Sequence, residues 1–282
     1  MGRAKTLRLY LMDGVMNGRV KCTLANWTGI AYKIPRTALD NCKDIDFLKQ
    51  SGVYFLFGTN DDDDPVVYVG QAGTRKNGEG LLLRVQEKHS TISYWTEAVM
   101  FTTTNNSFGP TEISFLENRF YNMAVKAGRY QVKNGNDPNP GNITEETRSE
   151  LEEFIDYAKI VMGALGYKVL EPAISTFDAE DNEPVLHFDY KKIKARGKRT
   201  SDGFVVFKDS TIDLTLTNTC PDSAKKNREK YADKINANGV LTADLFFLSP
   251  SGAACFVGGA SLNGNELWKD ATGTPLKNLM KG

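Results

Sequence analysis

The sequence lacks several features that would define its chemistry at once. Its four cysteines, Cys22, Cys42, Cys220 and Cys255, lie far apart and form no CxxC pair. A structural zinc site is therefore not expected, and reduced thiols are the simplest interpretation. No apolar run reaches the ~18 residues that a membrane span needs, and the N-terminus lacks the apolar stretch of a secretory signal. We therefore expect a cytoplasmic protein that does not bind a membrane.

Net charge is absent as well, because 35 basic residues balance 35 acidic ones. This balance argues against a protein that coats nucleic acid without specificity, since such binding depends on positive charge. A local basic patch can still bind phosphates in a neutral molecule. The densest basic run holds Lys191, Lys192, Lys194, Arg196, Lys198 and Arg199. The run is either a nucleic-acid contact or a solvated linker.

A chain of 282 residues, 40% hydrophobic and 25% charged, has the composition of a globular protein of about two domains. Its strand and helix signals predict an α/β protein of the α+β kind, with a small antiparallel sheet flanked by helices. The predicted divisions are a β-rich N-terminal extension (1–48), a central domain (49–170), a linker with the basic run (171–200) and a C-terminal α+β domain (201–282).

Two short segments, Gly52-Val53-Tyr54 and Tyr68-Val69-Gly70, predict the strands of a hairpin. The residues between them are rich in Gly, Asn, Asp and Pro, which favour a turn. Apolar periodicity and capping residues predict further elements at 81–88 (helix), 98–103 (strand), 111–127 (helix), from Thr144 (helix) and over 224–236 (basic helix). Residues 245–248 and 253–257 are expected to pair as a second hairpin.

The central segment gathers two phenols, a guanidinium, an imidazole and a carboxylate. Tyr54 and Tyr68 lie on the hairpin, and Arg84 and His89 follow it. Glu117 lies among apolar residues of the clearest predicted helix, where a carboxylate is costly unless it binds a cation or hydrogen-bond donors. Such a mixture suits metal-assisted hydrolysis of a phosphodiester.

In this order and spacing, residues 50–137 resemble the GIY-YIG endonuclease superfamily. Gly52-Val53-Tyr54 and Tyr68-Val69-Gly70 match its two name motifs. Arg84 matches the arginine of the first helix, Glu117 the metal-binding glutamate, and Asn134 the asparagine that follows. The layout of the whole chain resembles a bacterial subgroup whose C-terminal domain, of the DUF4357 type, has no assigned function.

The resemblance implies a nuclease that hydrolyses DNA, with RNA not excluded. Glu117 would hold a single Mg²⁺ or Mn²⁺ ion. Arg84 would brace the phosphate, and Tyr54 or Tyr68 would serve as the base once its pKa is lowered by Arg84 and the metal. Asn134 would complete the site or would only shape the turn.

Two positions depart from the pattern of the superfamily. Gln71 stands where many of these nucleases have lysine directly after the second motif. It lacks the charge of lysine, and it is retained as a candidate contact to nucleic acid. Lys88 stands four residues after Arg84, where His or Tyr is usual, and His89 follows one position later. Either Lys88 takes that role and contacts nucleic acid, or the helix ends early and His89 turns into the site.

These departures keep two other functions open. The first is a catalytically inactive protein on the same fold that binds nucleic acid or acts as an adaptor, which Gln71 and the displaced His89 favour. The second is a protein-interaction module that acts through the C-terminal domain. The sequence does not indicate an oligomeric state.

Overall fold

The computed structural model describes residues 4–61, 63–73, 80–172 and 183–279. The protein is α+β and consists of two compact units, Met1–Pro172 and Ala173–Gly282. Each unit has its own sheet, with seven strands in the first and five in the second. Within the described ranges, no helix combines the length and the apolar character that crossing a bilayer requires.

The elements of the first unit are the strands β1 (Leu7–Leu11), β2 (Val20–Leu24), β3 (Gly29–Pro35), β4 (Gly52–Thr59), β5 (Pro65–Ala72), β6 (Glu97–Thr103) and β7 (Gln131–Val132), and the helices α1 (Leu81–Gln86), α2 (Pro110–Ala127) and α3 (Glu145–Ala164). Short 3₁₀ helices lie at Arg36–Cys42, Asp46–Lys49 and Ser90–Ile92. The strand order is β1-β2-β3-β6-β4-β5-β7. The predicted hairpin, the strand at 98–103 and the two long helices are thereby confirmed.

The N-terminal strands belong to the main sheet. Strand β3 pairs antiparallel with β6 along its whole length, from Gly29 opposite Thr103 to Pro35 opposite Glu97. The predicted boundary at residue 48 therefore divides one continuous sheet. The sequence did not reveal this pairing because it joins segments that are about 65 residues apart.

The central strands are buried on both faces, and their alternating side chains feed two cores. Val53 and Phe55 point toward the core under α2 and α3. Tyr54 and Leu56 point toward the core under α1 and the short 3₁₀ helices. This alternation follows from the two-residue period of a strand, and it decides which groups share a face with Tyr54.

The second unit contains the strands β8 (Leu186–Tyr190), β9 (Ile193–Thr200), β10 (Gly203–Val206), β11 (Leu245–Phe247) and β12 (Trp268–Lys269), and the helices α4 (Asp222–Lys230), α5 (Pro250–Gly258), α6 (Gly264–Leu267) and α7 (Leu276–Leu279). A 3₁₀ helix spans Ala232–Lys234. The strand order is β11-β10-β9-β8-β12.

Three predictions for this unit are wrong. The supposed linker holds the paired strands β8 and β9, whose buried residues alternate with charged ones; its residues 173–182 lie outside the described ranges. Residues 253–257 belong to helix α5 rather than to a hairpin, because Ser249 accepts a hydrogen bond from the Gly252 amide and caps that helix. The basic helix ends at Lys230, six residues earlier than predicted.

Candidate active site

Three aromatic rings from three segments form the centre of the site. The Tyr54 and Tyr68 ring centroids lie 6.2 Å apart, and each lies 5.8 Å from the imidazole of His89. Tyr54 is fully buried and Tyr68 is partly exposed. Among the described residues, the buried Tyr54 hydroxyl has no hydrogen-bond partner of normal geometry. The predicted phenols and imidazole thus share one cluster, with Tyr68 on its solvent side.

The two motif glycines let the chain pack closely at this cluster. A Cβ atom on Gly70 would lie 2.5 Å from the Tyr54 hydroxyl oxygen, so the phenol ring covers the space that a side chain would fill. A Cβ atom on Gly52 would collide with the backbone of Phe101 and lie 2.7 Å from Leu81 Cδ1. Glycine is required at both positions for steric reasons.

The position of His89 follows from the early end of α1. The helix ends at Gln86 and Glu87 is extended, so His89 turns inward and is only 7% exposed, whereas Lys88 is exposed. His89 Nε2 lies 3.1 Å from the Arg84 carbonyl oxygen in the last turn of the helix. Of the two alternatives left open by the sequence, the structure has the short helix.

The tautomer of His89 follows from that contact. A carbonyl oxygen only accepts, so Nε2 carries the hydrogen, and the neutral ring keeps Nδ1 as an acceptor. Burial lowers the pKa of His89, which favours the neutral form at neutral pH. The imidazole beside the two phenols can therefore take up a proton.

Arg84 lies close to both phenols, and it also forms an ion pair with Glu87, the residue just after its helix. Its guanidinium donates to Glu87, three residues further along the chain. Its positive charge acts to lower the pKa values of Tyr54 and Tyr68. About a third of the Arg84 side chain is exposed, which leaves donors accessible for an anion.

Burial outweighs that effect on both phenols. It raises the pKa of Tyr54 and of Tyr68 above the usual value, against the opposing influence of Arg84. Arg84 alone therefore does not bring the pKa of either tyrosine below its usual value, and the expectation that Arg84 and a metal together do so stays a prediction. Both phenols are neutral at neutral pH in this state, because desolvation penalises a phenolate more than Arg84 stabilises it.

Glu117 approaches the cluster from α2, at the open edge of β5. Its carboxylate accepts hydrogen bonds from the side chain and the backbone amide of Gln71. Desolvation nevertheless raises its pKa to about 7, against the lowering effects of Gln71 and Arg84. The negative charge of Glu117 in turn raises the pKa values of Tyr54 and Tyr68, so the carboxylate lies within electrostatic range of the phenols.

Gln71 is partly exposed, and neighbouring side chains engage its amide. It pairs with Val53 in the hairpin and therefore points to the face that α2 covers. Ser114 donates to its Oε1 at 3.2 Å, and its amide contacts Glu117. Gln71 therefore orients the carboxylate. Ser114 was not among the predicted site residues. Its position one turn before Glu117, on the same face of the helix, is the sequence signal that could have indicated it.

The side chain of Asn134 forms two hydrogen bonds with the backbone of Val69, as a neighbouring strand would. Its Oδ1 accepts from the Val69 amide at 3.0 Å and its Nδ2 donates to the Val69 carbonyl at 2.7 Å. These bonds continue the parallel pairing of β5 with β7 past Val67 and Val132. Its polar atoms thus hold the second motif in place, and a catalytic role for Asn134 stays a prediction.

A divalent cation fits the donor set around Glu117. The carboxylate is partly desolvated, and Arg84 has its ion pair with Glu87. The raised pKa indicates an anion that lacks full compensation, which a cation would supply. No group of three or more acidic, histidine or cysteine side chains occurs within the described ranges, so water or substrate oxygens would complete the coordination.

The basic run divides between two faces of the second sheet. Lys194, Arg196 and Lys198 alternate with the buried Ala195 and Gly197 and so lie on the face away from the core.

The other bases of the run are held differently. Arg199 lies on the opposite face of β9 and pairs with Glu183. Lys191 lies 3.7 Å from Asp213, and Lys192 is exposed in the turn between β8 and β9. A cavity on the face that carries Lys194 and Arg196 also includes acidic residues. The predicted nucleic-acid contact is thus a stripe of mixed charge.

Comparison with known proteins characterises the second unit only. Residues 186–280 match the family model of a domain of unknown function, DUF4357. The match confirms the expected type of C-terminal domain. No GIY-YIG family model matches. No curated protein and no solved structure matches the chain significantly.

Proposed function

We propose that the first unit is a metal-dependent endonuclease of the GIY-YIG type that hydrolyses phosphodiester bonds in DNA. The observation that carries the proposal is the convergence of Tyr54, Tyr68, Arg84, His89 and Glu117. These residues come from two strands, two helical segments and a loop, and each contacts or electrostatically affects another member of the set. A fold needs no such gathering of polar groups for stability.

The solvent exposure of the two tyrosines favours Tyr68 as the phenol that contacts the attacking water. Tyr68 is partly exposed, whereas the Tyr54 hydroxyl is sealed from solvent. In this proposal Tyr68 accepts the proton of the water as its own proton moves toward Nδ1 of His89. The neutral imidazole suits that role, because its pKa is lowered by burial. Tyr54 packs behind them and keeps water from the rear of the cluster.

Arg84 and Glu117 would stabilise the charges that develop during phosphodiester hydrolysis. The guanidinium would donate to non-bridging phosphate oxygens, whose negative charge grows in the transition state. Glu117 would hold Mg²⁺ or Mn²⁺, which supplies Lewis acidity and stabilises the leaving oxygen. Gln71 would keep the carboxylate oriented through its amide.

The test is nicking of supercoiled DNA with Mg²⁺ or Mn²⁺, comparing wild type with Glu117→Gln. The matched control is Glu112→Gln, the same change on the same helix away from the cluster. We expect metal-dependent nicking that falls at least a hundredfold in Glu117→Gln and is unchanged in the control. Equal nicking by wild type and Glu117→Gln would contradict the proposal.

The inactive adaptor is the second candidate, and Gln71 is the observation that favours it. A glutamine bound to Glu117 and Ser114 cannot supply the charge of the usual lysine. Gln71→Lys separates the two functions. A wild type that binds DNA without metal and nicks no substrate, while Gln71→Lys gains metal-dependent nicking, would establish the adaptor.

A further inference from the structure

A cavity of about 420 Å³ lies in the first unit, outside the tyrosine cluster. It is bounded by the β2–β3 turn, the end of β6, the start of α2 and one face of α3. Its lining residues are Asn26, Trp27, Thr28, Thr103, Asn105, Ser107, Phe108, Glu112, Thr147, Glu150, Leu151, Glu153, Phe154 and Tyr157. Neither Glu117 nor the clustered tyrosines line it. The cavity volume is typical of a site for a small molecule.

Aromatic rings form one part of the wall. The Trp27 centroid lies 4.9 Å from that of Phe154 and 6.0 Å from that of Tyr157. The indole lies so closely over Gly29 that any Cβ there would overlap it. Asn26 enters the turn with φ of 60°, a conformation that asparagine tolerates better than most residues. The segment Asn26–Gly29 therefore places the indole at this cavity.

Carboxylates form the other part. Glu112, Glu150 and Glu153 line the cavity, and no lysine or arginine does. Across the described ranges, none of these glutamates has an ion-pair partner. Tyr157 donates a hydrogen bond to Glu153 Oε1 at 3.2 Å, which joins one ring to one carboxylate. The charged residues of the cavity are thus all acidic.

A further contact shows that these rings attract positive charge. The ammonium of Lys5 lies 4.1 Å from the Tyr157 ring centroid, so a primary amine already stacks on one of the rings that line the cavity.

We propose that this cavity binds a small organic ammonium ion of the polyamine class. Aromatic faces attract ammonium groups, and carboxylates pair with them. An anion would be repelled, and Mg²⁺ would gain nothing from the rings, because it takes oxygen ligands. Several ammonium groups separated by methylenes match a wall that is aromatic in one part and acidic in the other.

Tryptophan fluorescence and calorimetry test the proposal with spermidine as the probe, in 0.15 M NaCl without DNA. Of the three tryptophans, Trp95 and Trp268 are buried, so a ligand at the surface reports through Trp27. We expect saturable one-to-one binding with a change in fluorescence. Magnesium chloride at equal ionic strength should give no such change, and an equal response would show that charge alone drives it.

Variants locate the site. Tyr157→Leu should weaken spermidine binding about fivefold or more, whereas Tyr157→Phe keeps the ring and most of the affinity. Joint Glu150→Gln and Glu153→Gln replacement should weaken binding about tenfold. Glu145→Gln, on the same helix but outside the cavity, is the matched control and should stay within about twofold.

Lys5→Gln removes the ammonium that stacks on Tyr157 and should increase the affinity for spermidine. Equal affinity in wild type, Tyr157→Leu and the double variant would overturn the proposal, as would the absence of saturable binding at millimolar spermidine. DNA nicking should be unchanged in all of these variants, so this proposal stands or fails independently of the nuclease.

Discussion

Replacing Glu117 with glutamine should change how stability depends on pH, in a direction that identifies this carboxylate. Burial raises the pKa of Glu117 from the ordinary 4.5 to about 7 in the folded protein. A carboxyl group with a raised folded pKa gives its full stabilisation below the unfolded value. That stabilisation is lost as the pH rises from 4.5 to 7 and the group must ionise in a partly dry site.

The magnitude follows from the same values. At about 1.4 kcal/mol for each pH unit, the difference between 4.5 and about 7 corresponds to about 3 kcal/mol. The carboxylate keeps some contact with solvent, and screening reduces this to about 2 kcal/mol. Relative to wild type, Glu117→Gln should therefore gain about 2 kcal/mol in free energy of unfolding between pH 4.5 and pH 8.

Urea denaturation of both proteins in EDTA, at pH 4.5, 6 and 8, measures this difference. Other groups titrate alike in the two proteins, so their contributions cancel. Glu112→Gln should lack the gain. Added Mg²⁺ should then stabilise wild type at pH 8, by about 1.4 kcal/mol at ten times its Kd, and leave Glu117→Gln unchanged. A difference between wild type and Glu117→Gln that is constant with pH would refute the claim that Glu117 is an uncompensated, desolvated anion.

Three other substitutions test the frame around the cluster. Tyr54→Phe removes a buried hydroxyl that lacks a partner, so it should leave the protein equally stable or about 1 kcal/mol more stable, by thermal denaturation. Gly70→Ala places a methyl group on the Tyr54 ring and should cost about 2 to 4 kcal/mol in the same assay. Asn134→Ala removes both bonds to Val69 and should cost about 1 to 3 kcal/mol, whereas Asn136→Ala should be neutral. A neutral Gly70→Ala or Asn134→Ala would contradict the packing described here.

The sequence was most informative where local patterns decide structure. The glycines, prolines and apolar periods around residues 52–72 and 110–127 predicted the hairpin and α2, and both are confirmed. The linker was wrong for a related reason. Strand β9 alternates bases with alanine and glycine, which bury little side chain, so its two-residue period is hard to see in Ile193–Thr200. A charged strand that covers a core resembles a polar linker until its partners are known.

For His89, the sequence predicted that the residue could belong to the site but did not predict where its side chain lies. The number of residues after Arg84 was compatible with either Lys88 or His89, because the answer depended on where α1 ends. The helix ends at Gln86, where Glu87 becomes extended and His89 Nε2 contacts the Arg84 carbonyl oxygen of the last turn. The His89 ring also packs beside Tyr54 and Tyr68, and such contacts between distant segments are not encoded in a local pattern.

The role of Gln71 in the structure differs from the one that the sequence indicated. From the sequence it was a missing positive charge, and this absence favoured an inactive protein. In the structure its amide and backbone both donate to Glu117, yet the pKa of that carboxyl still lies near 7. Two neutral donors thus orient the carboxylate without neutralising it, which leaves its negative charge for a cation. The substitution therefore weakens the case for phosphate binding at residue 71 while it strengthens the case that Glu117 is available for a cation.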